Sequence, residues 1–214
     1  IGQGLQKSLI QLSWEAACRV KNVEHIVVAT DDERIRTEAE SFGAKVVMTS
    51  KKCRNGTERC AEALKNINFS GDLIVNLQGD APLTPEWFVE DLIEAFKDNP
   101  DTQMATPVLR LDRVSLNSFR RDRNSGRVGG TTVVFDNNNN ALYFSKEIIP
   151  FFDEKRLMQT EACPVFHHVG VYAYRPEILS KYNTWKESDL EALEGLEQLR
   201  FLENACSIKC VLVD

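Results

Sequence analysis

No run of about twenty apolar residues occurs anywhere in these 214 residues, so the sequence holds no candidate for a bilayer-crossing helix. Residues 1–8 also lack the basic-then-apolar layout of a secretory signal, and a soluble, cytoplasmic protein is expected. Positive charge is scarce: 26 Lys plus Arg against 32 Asp plus Glu leave a formal charge of −6. That balance excludes the clustered cations with which a protein displaces counterions from nucleic acid. Six cysteines (Cys18, Cys53, Cys60, Cys163, Cys206 and Cys210) form no C-x-x-C pair, and the chain is too long for a disulfide scaffold, so they read as structural thiols. Missing too are a G-x-G-x-x-G loop, a Walker loop, zinc-ligand spacing, a serine-nucleophile elbow, an internal repeat and any linker rich in Pro, Gly or Ser. A single domain spanning 1–214 is the expectation.

What is present is a globular composition, 43% hydrophobic and 27% charged. Leu9, Ile10, Trp14, Ala17 and Cys18 recur at helical spacing, and the β-branched run 25–29 comes next as a buried strand. Thr30 and Glu33 have the spacing of a capping box, predicting a helix to Phe42 that stops at Gly43. Strands at 46–49, 73–77 and 104–109 then alternate with helices opening at 55–59 and after Thr84 and Pro85. Such alternation predicts an α/β fold, an open and mostly parallel sheet with helices on both faces. The later part departs from that rhythm. Runs 131–135 and 141–145 flank Asp136 and four asparagines, a hairpin turn because Asn tolerates positive φ. Residues 167–174 read as one alternating strand, Ser188 and Glu191 as a capping box opening a helix through Leu202, and 208–213 as a final strand.

In an open parallel sheet, ligands collect beyond the carboxyl ends of the strands, which selects the loops at 30–32, 55–59 and 78–82. Asp80 lies just past the strand ending at Leu77, with Gly79 permitting close backbone approach. Its carboxylate suits Mg²⁺, which takes one or two protein carboxylates and fills its octahedron with water and phosphate oxygens. A turn or helix cap is the structural alternative. Asn55, Gly56, Thr57, Glu58 and Arg59 set free backbone N–H groups at a helix start, fit for a phosphate or a base edge, or simply for capping by Asn55 and Glu58. His168 and Tyr172 share a strand face about 13 Å apart at ~3.3 Å per residue, with Gly170 between them. That shape accepts a hydroxylated ligand, or else a half-buried strand showing polar groups to solvent. Glu197, Gln198 and Arg200 interrupt a leucine stripe, and the basic cluster 120–127 reads as a solvated loop.

Taken in order, the runs 26–32, 55–59, 75–82, 104–106, 141–145, 168–175 and 196–200 resemble the 3-deoxy-manno-octulosonate cytidylyltransferase family, the bacterial CMP-KDO synthetases. The resemblance covers nearly the whole chain. It implies a nucleotidyltransferase-like α/β fold with a small antiparallel dimerisation subregion, a homodimer, and transfer of a cytidylyl group from CTP to the sugar acid KDO for lipopolysaccharide biosynthesis. Carried onto this sequence, it implies Asp80 as Mg²⁺ ligand. Gln78, Asn55, Gly56, Thr57 and Arg59 then fall in the CTP site, and His168, Tyr172, Glu197 and Gln198 in the sugar pocket. Lys146 stands where the family has Arg, which keeps a cation for the sugar carboxylate but loses bidentate geometry. Thr131 and Thr132 stand where the family tends to carry Val-Lys.

Residues 1–10 are similar only to the stretch just after the family's phosphate loop, P-A-R-x-x-S-x-R-x-P-G-K-P-L. The family's closing V-D-T-P-E-D-L segment, whose Asp supplies a second metal carboxylate, is expected to lie beyond Asp214. The chain is therefore expected to be truncated at both ends relative to the family. Rival readings are a cytidylyltransferase for 8-amino-KDO or another sugar acid, and a non-catalytic homologue serving as a binding or dimerisation module.

Overall fold

The computed structural model describes residues 7–67, 69–128, 130–153, 155 and 162–214. In chain order the elements are α1 Leu9–Arg19, β1 Val27–Thr30, α2 Glu33–Ser41, β2 Lys45–Met48, α3 Gly56–Asn66, β3 Ile74–Leu77, α4 Glu86–Asp98, β4 Met104–Arg110 and α5 Arg113–Asn124. Next come β5 Thr131–Phe135, β6 Ala141–Ser145, β7 Phe166–His168, β8 Val171–Tyr174, α6 Pro176–Tyr182, α7 Asp189–Glu194, α8 Leu199–Glu203 and β9 Ile208–Leu212. No helix among the described residues is long and apolar enough to cross a membrane.

The chain divides into two compact units, Ile1–Asp98 with Val171–Trp185, and Asn99–Gly170 with Lys186–Asp214. In the first, β1 and β2 pair in parallel, Val27 opposite Lys45 through Thr30 opposite Met48. Beside them Val28, Ala39 and Ala44 are buried, with Ile10, Trp14, Phe42 and Val46 packed around them. Helix α2 is capped two residues later than the Thr30–Glu33 spacing predicts. Asp32 accepts the Arg34 N–H at 2.8 Å, because Thr30 still ends β1 and its hydroxyl accepts the Asp32 N–H at 3.2 Å. Gly43, at φ 87°, lies just past the helix end as expected. Strand β3 pairs antiparallel with β8, Asn76 facing Tyr172 and Leu77 facing Val171. Helix α4 buries Phe88, Val89, Leu92 and Phe96, a spacing that puts all four on one stripe. Full burial of a side chain such as Leu92 is worth roughly 1.5–3 kcal/mol.

In the second unit β4 is buried over its first five residues and is flanked by β9 in parallel and β7 antiparallel. Strand β5 pairs with both β7 and β6. The β5–β6 turn forms as its sequence predicts: Asp136 Oδ1 accepts the N–H groups of Asn138 and Asn140 at 2.9 and 2.8 Å, and Asn139 takes φ 59°. A cluster of Leu111, Leu116, Cys163 and Val165 closes beneath Phe119, Ile148 and Phe152.

The α/β class expected from the alternating pattern is what forms, with parallel strands and accompanying helices. Antiparallel ladders are more numerous among the described pairings than that pattern suggests, because hairpin and return strands after residue 130 bring no crossover helix. Three further expectations are corrected. Residues 167–174 form two strands, β7 and β8, separated at Val169 and Gly170, and all four residues of β8 are buried, so its polar alternation marks no wet face. The predicted long helix from Ser188 keeps its capping box but stops at Gly195, whose φ of 61° ends α7 before α8 begins. The basic cluster 120–127 is mostly the last turns of α5 rather than a loop.

All six cysteines are free thiols, as the sequence predicts. Burial and the Glu62 carboxylate it bonds push the Cys53 thiol up to about 11, and burial pushes Cys210 up to about 12, so both stay protonated and unreactive near neutral pH.

Candidate functional site

The predicted nucleotide residues all lie in the first unit, where Gly56 meets Gln78 just past the carboxyl end of β3. Asn55 caps α3: its Oδ1 accepts the Glu58 N–H at 2.8 Å, and its Nδ2 donates to the Tyr182 hydroxyl at 3.1 Å. Thr57 is fully buried and pairs with the Tyr174 hydroxyl at 2.9 Å, so it moors the loop from below. Gly56 lies against Gln78. A Cβ built at 56 would stand 2.6 Å from Gln78 Nε2 and 3.0 Å from its Oε1, so glycine is what lets that amide sit over the helix start. Arg59 bridges to Asp31 at 3.1 Å and donates to Thr49 Oγ1 at 2.6 Å, tying the loops after β1 and β2 to α3.

The loop 78–81 is a turn closed by the Ala81 N–H on the Gln78 carbonyl at 3.1 Å, and Ser13 of α1 holds it by donating to the Gly79 carbonyl at 2.8 Å. The carboxylate of Asp80 is exposed, and neither hydrogen bond nor ion pair engages it among the described residues. No group of three or more His, Cys, Asp or Glu side chains gathers into a metal cage among those residues. A lone accessible carboxylate at a strand end fits Mg²⁺, which needs few protein ligands when phosphate oxygens and water complete its shell.

Of the predicted sugar residues, Tyr172 lies in the first unit, buried on β8 beside Tyr174. The others lie in the second. His168 ends β7 with its ring edge-on to Phe144, centroids 5.0 Å apart. Burial, with a smaller contribution from His167, pushes its pKa down to about 3, so the ring is neutral near pH 7. Gln198 is buried and Glu197 half-buried in the short link between α7 and α8. Lys146 comes directly after β6, and a Cβ built at Gly195 would lie 2.8 Å from its Nζ, so this glycine also leaves the ammonium its room.

Sequence reasoning missed the groups that hold these side chains. Glu194 accepts from Ser145 Oγ at 2.7 Å, from the Lys146 N–H at 2.9 Å and from the Tyr143 hydroxyl at 3.3 Å. Nothing in spacing could have found it, since 48 residues separate it from Lys146. Arg200, read as one of several polar breaks in a leucine stripe, is fully buried and forks onto Glu191. A signal was available for Asp214: with Val213, directly after β9, it repeats the first two residues of the V-D-T-P-E-D-L segment that was expected to lie beyond the chain. Residues 1–6, part of the segment compared with the region after the phosphate loop, lie outside the described residues.

A strand-end amide set over a helix start, with an exposed carboxylate two residues further along the chain, fits a nucleotidyltransferase. The chain matches the family described as cytidylyltransferase over residues 5–208, and it belongs to that family. It is 41% identical over 206 residues to a protein of Maricaulis maris named 3-deoxy-manno-octulosonate cytidylyltransferase, covering 96% of this chain and 78% of the relative. It is 40% identical over 209 residues to a Shewanella protein named 8-amino-3,8-dideoxy-manno-octulosonate cytidylyltransferase, covering 96% and 80%. Among solved structures, CMP:2-keto-3-deoxy-manno-octonic acid synthetase complexed with CTP superposes with a TM-score of 0.81 at 32% identity, over 96% of this chain and 78% of that one.

Proposed function

We propose that this protein transfers the cytidylyl group of CTP to KDO, forming CMP-KDO and pyrophosphate for lipopolysaccharide biosynthesis. The observation that carries the reading is the Gly56–Gln78 approach beside the free Asp80 carboxylate, in a chain that superposes on a CTP-bound synthetase. Gln78 and the start of α3 hold the cytidine, the loop kept rigid by Thr57 on Tyr174, Asn55 on Tyr182 and Arg59 on Asp31. Mg²⁺, which the Asp80 carboxylate would hold, would supply neutralisation of phosphate charge when bound. The anomeric hydroxyl of the sugar attacks the α-phosphorus in line and loses its proton to solvent, the bond to the β-phosphate oxygen breaks, and pyrophosphate leaves. Lys146 is the cation for the sugar carboxylate, fixed through its own backbone N–H by Glu194. In the second unit neutral His168, with Glu197 and Gln198, recognises sugar hydroxyls. Most of the rate enhancement comes from positioning and charge stabilisation.

A homodimer and a cytoplasmic location belong to the same proposal; exposed Leu142 and Phe151 supply apolar surface for the former. Near-equal identity to the Shewanella relative favours 8-amino-KDO as the second reading. Pyrophosphate release measured with KDO, 8-amino-KDO and sialic acid side by side, with and without Mg²⁺, separates them. Activity with KDO that requires Mg²⁺ and falls more than about tenfold in Asp80→Asn supports the first reading. Undiminished turnover by that variant removes Asp80 from the metal site, and turnover of sialic acid alone overturns the assignment of the sugar.

A further inference from the structure

Asn76 has no part in the capping, packing or chemistry described above, yet its side chain is 5% exposed and its Nδ2 finds no hydrogen-bond partner among the described residues. Buried amide groups are almost always bonded, and one that is not calls for a ligand or another explanation. Its place in the fold supplies one. Asn76 and Gln78 are two residues apart at the end of β3, so they project to the same side of the strand. Both amides converge on Gly56: a Cβ there would lie 3.2 Å from Asn76 Nδ2 and 2.6 Å from Gln78 Nε2. Neighbouring polar groups are otherwise engaged, since Thr57 is turned to Tyr174 and Asn55 to Tyr182.

The geometry points to Asn76 as a second amide of the cytidine site, its Nδ2–H donating to an acceptor on the pyrimidine edge beside the position read by Gln78. The inference rests on the cytidylyltransferase reading and adds a base-binding residue to it. Donation to N3, an acceptor in cytosine that carries a hydrogen in uracil, is the form of this contact that favours CTP over UTP, since O2 accepts in both bases.

Asn76→Leu tests this directly, because an apolar side chain of similar size relieves the unbonded amide without opening a cavity. The variant should melt at or above the wild-type temperature, raise the KM for CTP about tenfold or more, narrow the preference for CTP over UTP where N3 is the acceptor, and leave the KM for KDO within about twofold. Gln78→Ala is measured alongside. An unchanged CTP KM in Asn76→Leu overturns the assignment. If Gln78→Ala is impaired at the same time, the cytidine site stands without Asn76; if it too is unimpaired, the base binds elsewhere and the reading it rests on falls as well. Should Asn76→Leu fail to fold, wild-type protein labelled with ¹⁵N asparagine is titrated with CMP and with ribose 5-phosphate. A shift of the Asn76 side-chain amide with CMP alone supports the assignment, and no shift with CMP overturns it.

Discussion

Glu191→Gln should cost this protein a large share of its stability although it changes one atom. The Arg200 guanidinium is 1% exposed and grips the Glu191 carboxylate twice, Nε to Oε2 and Nη2 to Oε1, each at 2.6 Å. Glutamine keeps the shape but leaves a buried cation facing a neutral amide. Removing one partner of such a pair costs about 3–5 kcal/mol, against a total of about 5–15 kcal/mol for a typical domain. With a urea m-value of about 2 kcal/mol/M, the unfolding midpoint should fall by roughly 2 M. The double variant Glu191→Leu with Arg200→Met removes both charges and should unfold within about 2 kcal/mol of wild type, since well-packed apolar side chains replace a buried pair at little cost and the remaining loss is the capping bond from the Ser188 N–H to Glu191. Urea titrations followed by tryptophan fluorescence and circular dichroism give both numbers. A single variant losing less than about 1 kcal/mol, or a double variant losing as much as the single, refutes the assignment of this pair as a buried, charge-balanced clamp. Because Glu197 and Gln198 lie in the link that the clamp braces, Glu191→Gln should also raise the KM for the sugar more than that for CTP.

Gly56→Ala should act on binding rather than on folding. The new methyl meets the flexible end of Gln78, which can swing away, so stability should change by less than about 1 kcal/mol while the CTP KM rises several-fold; steady-state kinetics showing an unchanged CTP KM would sink the argument. A second expectation concerns pH. The pKa of His168 is lowered from 6.5 to about 3 on folding, so the unfolded chain takes up its proton first as pH falls, and stability complete above pH 6.5 is lost between 6.5 and 3. The slope from this one residue is at most about 1.4 kcal/mol per pH unit. Denaturation at pH 7 and pH 5.5 should therefore show a steeper loss in wild type than in His168→Gln, and equal slopes would contradict it.

Legibility in the sequence depended on the range of the interaction. Ser188 with Glu191, and Asp136 with the asparagines after it, are local devices whose hydrogen bonds close within a few residues, so their sequence spacing predicts them. The Gly195 stop was also legible, since a glycine after Glu194 is a helix terminator, but the leucine stripe running past it outweighed that signal. Roles of the 55–59 loop were harder to separate, because the same residue types cap a helix and bind a ligand. Asn55 caps α3 with its Oδ1, while Gly56 leaves the helix start open toward Gln78.

The residue sequence by itself determined the α/β class, the hairpin at 136–140, the reduced state of the thiols and the family, because each comes from composition, local periodicity or an ordered set of short motifs. Tertiary structure alone decided that Thr57 faces Tyr174, that Glu194 secures Lys146, that Arg200 is buried on Glu191 and that Asn76 converges with Gln78 on Gly56. Those pairs join residues between 9 and 117 positions apart or different elements of the fold, and whether a polar side chain ends in water or on a partner is settled only when chain segments that share no local pattern are packed together.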